Sequence, residues 1–82
     1  MSIEAIRASV ALVRDHIVAA HQEVGTARER LAEARGTLTA LSRHHSASLL
    51  PPEHPRADEQ LADCLSQLAA CIACLDSYVA GL

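Results

Sequence analysis

The sequence predicts an all-α fold, a two-helix antiparallel hairpin, and three observations carry that prediction. Ile3, Ile6, Val10, Val13, Ile17, Ala20, Val24, Ala27, Leu31, Ala34, Leu38 and Leu41 follow one another at spacings of three and four. That is the apolar a/d pattern of a heptad helix, sustained for more than five heptads. Three prolines, Pro51, Pro52 and Pro55, then fall within five residues and forbid a continuous helix. Beyond them the pattern resumes with Leu61, Cys64, Leu68, Cys71, Leu75, Tyr78 and Leu82.

Composition agrees. The 82 residues are half apolar, yet Tyr78 is the one aromatic, so a globular core built on aromatic area is not expected. A thin helix–helix seam needs none. The length fits a single helical-hairpin domain spanning 1–82, near the size at which one core gives marginal stability.

The first helix is expected over about 2–42. Ser2 suits the N-cap, and Glu4 places a carboxylate at the positive helix end. With Ile3 as heptad position a, the e positions read Arg7, Arg14, His21, Arg28 and Arg35. This charged flank runs the length of the helix. Arginine stems there would cover the seam while their heads meet acids on a partner helix. Gly25 and Gly36 each cost about 1 kcal/mol relative to Ala in a helix interior and mark places for a bend or fraying.

A connector over 43–55 follows, with Leu49 and Leu50 expected to fold back over the end of the helix pair. The second helix is expected over about 56–80, with Pro55 at its start, Asp58 and Glu59 in its first turn and Gly81 at its stop. Taking Leu61 as position a, Leu65, Ile72 and Val79 at e add a second apolar stripe suited to a bundle. The second helix is about 20 Å shorter than the first. It would reach back only to about residue 16, leaving Ile3, Ile6, Val10 and Val13 uncovered, and with Ile17 beside them these are the expected interface residues of the first helix. An uncovered apolar strip of that kind marks an interface. Self-association of two hairpins into a four-helix bundle, most simply a homodimer, is the expected outcome, with docking on a larger helical protein as a further possibility.

Few residues offer chemistry. Cys71 and Cys74 form Cys-x-x-Cys inside a helix, without a second ligand pair, so Cys64 and Cys71 read as small seam residues and Cys74 as a partly exposed thiol. His44, His45 and His54 flank the connector. Together with Cys74 they are the basis of an alternative reading, a metal- or small-ligand-responsive binder. There is no Gly-rich phosphate loop and no strand-end nucleophile, so neither an enzyme nor a resident cofactor is expected. A net charge of −3 argues against a nucleic-acid binder. The sequence has no apolar run long enough to span a membrane and no signal-peptide core, and an odd cysteine count fits reduced thiols, so a cytoplasmic setting is expected.

The opening Ser2-Ile3-Glu4-Ala5-Ile6-Arg7-Ala8 and the close Leu75-Asp76-Ser77-Tyr78-Val79-Ala80-Gly81-Leu82 bracket this hairpin layout. In length and layout the chain resembles small actinobacterial helical-hairpin proteins of the WXG/ESX-like type, and its opening is similar to the N-terminal helical segment of some polymorphic toxins. The resemblance implies a non-enzymatic partner or delivery-associated module paired with a larger effector. The connector lacks the family's Trp-x-Gly, and Tyr78 is followed four residues later by Leu82 where the family's export tail has an acid. An export signal would then have to come from a partner.

Overall fold

The computed structural model of the chain describes residues 2–45 and 48–82. It is an all-α hairpin of two helices, α1 (Ile3–Ser42) and α2 (Glu53–Ala80), packed on one another. The result is a rod of 66 × 14 × 14 Å. Ser2 caps α1: its hydroxyl accepts from the Ala5 N–H at 3.0 Å, with Glu4 in the first turn. The helix runs through Gly25 and Gly36 without interruption to Ser42.

α2 begins earlier than the proline pattern suggests. Pro52 is its N-cap residue and Glu53 its first helical residue, so Pro55 sits third within the helix. The first four N–H groups of a helix have no intrahelical acceptor, and a proline there forfeits no bond. The connector is correspondingly short. Leu49 donates its N–H to the Ser42 hydroxyl at 2.8 Å, tying the returning chain to the end of α1, while Leu50 is half-buried. Two connector residues, Ser46 and Ala47, lie outside the described residues.

Three contacts fix an antiparallel register. Arg14 pairs with Asp76, Arg28 pairs with Asp58, and the His54 ring meets the Leu31 carbonyl. The Leu31 oxygen can only accept, so His54 Nε2 carries the proton and donates at 2.9 Å. His54 is also the one buried residue among those described, at 8% exposure. It is a pin of the first turn of α2 rather than a connector ligand.

The register corrects the expected reach of α2. With Asp76 beside Arg14, the end of α2 lies near Val10, so Ile6 and Val10 are half-buried rather than uncovered, as is Ile17 next to them. Ile3 and Val13 stay about half exposed, at 52% and 48%. The seam is also rotated from the a/d pattern. In α1 most of the half-buried residues, among them Val10, Arg14, Ile17, His21, Val24, Arg28 and Leu31, occupy a and e positions, with Ile6 and Ala20 at d and Val18 and Gly25 at b on either side. In α2 the half-buried Leu61, Leu65, Leu68, Ile72, Leu75 and Val79 do the same. Leu65, Ile72 and Val79 are therefore spent on the hairpin seam and do not form a free second stripe. The d residues Val13, Leu41, Cys71 and Tyr78, expected in the seam, are exposed. Turning e inward lets Arg14 and Arg28 lay their stems across the seam and reach acids on the other helix.

Two expectations about stability follow. An added Cβ at Gly36 meets nothing within 4 Å, and no glycine has positive φ. Gly36→Ala should stabilise the hairpin by about 1 kcal/mol, raising the thermal midpoint by several degrees. His54→Ala should lower stability by about 1–2 kcal/mol through the lost hydrogen bond and packing, measured by urea unfolding.

Candidate interaction surface

The hairpin has two unlike sides. In an antiparallel pair the two helices turn in opposite senses when viewed from one end, so equal heptad letters fall on the same side of the seam. The b positions flank one side and the d positions flank the other. This division sorts every charged contact between the helices.

The b side is polar. Arg14 Nε lies 2.7 Å from Asp76 Oδ1, and Arg14 Nη2 lies 3.3 Å from Oδ2. Arg28 grips Asp58 in the same two-pronged way, at 2.9 and 3.3 Å. Forked pairing of this kind sets register more sharply than a lysine could. A shallow open groove beside the second pair is lined by Gly25, Arg28, Glu29, Ala32, Arg35, Asp58 and Leu65. The hydrogen bond from Arg28 holds the Asp58 carboxyl below the usual carboxylate range, against partial desolvation. The charges of Arg28, Arg35 and His54 add to the depression. Hydrogen bonding and charge from Asp58 and Asp76 raise Arg28 and Arg14 in turn. The charged flank thus divides: Arg14 and Arg28 are engaged within the hairpin, whereas Arg7 and Arg35 are exposed.

The d side is apolar. On α1 it presents Ile6, Val13, Ala20, Ala27, Ala34 and Leu41, and on α2 Ala57, Cys64, Cys71 and Tyr78. Ile6, Ala20, Ala57 and Cys64 are half-buried by the seam beside them, and the other six are exposed. Large side chains stand toward the ends of this side and small ones along its middle. Among the described residues no apolar side chain is buried anywhere. Leu12 adds a further exposed apolar group on the back of α1.

The residues proposed for metal or ligand binding are not brought together. His54 is committed to Leu31, His44 and His45 are exposed in the turn after α1, and Cys74 lies about 30 Å from His54 along α2. Among the described residues no group of three His, Cys, Asp or Glu is placed to hold a metal ion. Cys64, Cys71 and Cys74 are all free thiols. No helix among the described residues is long and apolar enough to cross a membrane.

One partner of the Arg stripe is legible in the sequence: Asp58 shares the e position with Arg28, and equal letters face each other across an antiparallel seam. Asp76 at b gives no such signal and is reached by the length of the Arg14 side chain. No protein-family model, curated protein or solved structure matches this chain.

The Asp58 pairing sets a pH dependence. A carboxyl whose folded pKa is depressed contributes stability above its unfolded pKa and loses it as the pH falls through the folded value. The wild-type hairpin should lose stability as the pH falls below about 4. Asp58→Asn should be less stable at neutral pH and show a shallower acid loss, read from thermal midpoints between pH 7 and pH 2.

Proposed function

We propose that this chain is a non-enzymatic interaction module, a helical hairpin that docks a helical partner on the side formed by its d positions. The observation that carries the reading is that no apolar side chain among the described residues is buried, while every d position on one side of the rod, from Ile6 to Leu41 on α1 and from Ala57 to Tyr78 on α2, is apolar. Exposed apolar patches of this extent mark protein–protein contact sites. Small residues along the middle of that side, Ala20, Ala27, Ala34 and Cys64, suit close approach of another helix. The open groove on the opposite side has Arg28 and Asp58 already paired with each other, which further favours binding over chemistry.

Docking on a second copy and docking on a larger helical protein use the same surface. The WXG/ESX-like resemblance supports the second possibility, a partner in a delivery-associated pair, and the cytoplasmic expectation is compatible with either. Photo-cross-linking in the cells that make the protein tests the surface itself. A photoreactive residue at position 27, on the apolar side, should give adducts of defined mass, whereas one at position 32, on the ion-pair side, should give far fewer. No adduct from position 27 would overturn the reading.

A further inference from the structure

The apolar side of α1 is self-complementary about Ala27. Val13 and Leu41, its two large exposed members, stand two heptads to either side of Ala27, and Ala20 and Ala34 stand one heptad to either side. At the adjoining g positions, Glu23 and Arg30 straddle that point to within half a residue, with opposite charge. Both are exposed, and among the described residues neither belongs to an ion pair. An interface with twofold symmetry requires this property: residue i meets j while j meets i. On α2, Ala57 and Cys64 straddle a level about one and a half residues from that of Ala27, as judged from the Arg28–Asp58 contact.

We infer that the apolar side is closed by a second copy of this chain, laid antiparallel so that α1 packs on α1 about a twofold axis at Ala27. This rests on the interaction-module reading and names its partner. Val13 then packs on Leu41 of the second copy, Ala20 on its Ala34, and Glu23 pairs with its Arg30, each contact occurring twice. The large pairs close the ends of the contact, and the alanines let the backbones approach between them.

The exposed area fits this occupant. The hairpin exposes 6073 Å². A compact monomer of 8.7 kDa exposes about 4,700 Å². The excess, about 1,300 Å² per copy, exceeds the roughly 800 Å² that each partner buries in a standard interface. A standard interface with a second copy would remove about 800 Å² of that excess, the larger part of it, and the charges of Glu23 and Arg30 match those the second copy presents.

The test is solution mass by light-scattering chromatography of the full chain, reduced, from micromolar to hundred-micromolar concentration. Wild type should run at twice the mass of one chain. Ala27→Glu places a carboxylate on the axis at a position exposed in the single hairpin. It should run as a single chain while keeping its helical circular dichroism. Glu23→Arg and Arg30→Glu should each weaken the dimer by about ten-fold, since attraction becomes repulsion at two symmetric sites. The double variant should regain wild-type affinity. A dimer unaffected by Ala27→Glu, or a double variant that regains nothing, would overturn the antiparallel arrangement. A monomeric wild type would overturn self-pairing. If position 27 meanwhile gives an adduct with a different protein in cells, the interaction reading stands and only the second copy is removed from it.

Discussion

A helix pair can cover only one face of each helix, and the rest of this structure depends on that limit. The a and e positions of α1 and α2 face one another, which leaves each helix exposed over most of its circumference. An α-helix is about 10 Å across with its side chains, and burial on all sides needs at least three neighbours. Two helices joined by a short connector cannot supply them. Half-burial is thus the best any apolar residue among those described attains, and His54 is buried only because the first turn of α2 presses it onto the Leu31 backbone.

Within that limit, polar contacts choose the register and the rotation. Apolar seams of Ala, Val and Leu tolerate sliding by a heptad, since each shift restores similar contacts. Arg14–Asp76, Arg28–Asp58 and His54–Leu31 do not tolerate it, because each needs one particular partner at one level. Exposed ion pairs contribute little to stability singly. Their larger effect here is specificity: they turn the e positions inward, place all pairing on one side and leave most d positions exposed.

The sequence makes the helices, the N-cap at Ser2, the connector and the hairpin legible, because periodicity, capping and proline chemistry are local. Rotation about the helix axes is not local. An a/d pattern and an a/e seam share the a residues Val10, Ile17, Val24 and Leu31, and differ only in whether Val13 or Arg14 faces the partner. Hydrophobicity alone favours Val13. The forked pair with Asp76 favours Arg14, and it becomes visible only once the two helices are side by side. The start of α2 was obscured for a different reason, since a proline marks the first turn of a helix without saying which residue of that turn it occupies. Leu65, Ile72 and Val79 illustrate the consequence: a stripe that reads as spare in a list of apolar positions is the seam itself once the rotation is known.

Rotation also links folding to binding. Had the d positions closed the hairpin, its sides would carry the arginine stripe and repel a second apolar surface. With e inside, the guanidinium groups of Arg14 and Arg28 are neutralised by acids of the same chain, and the apolar d side is left without charge along its centre. A partner on that side would add burial that the hairpin cannot generate for itself, so occupancy and stability would rise together. For a two-helix rod with no buried apolar residue among those described, any partner that covered the d side would set the stability of the fold in part by its concentration.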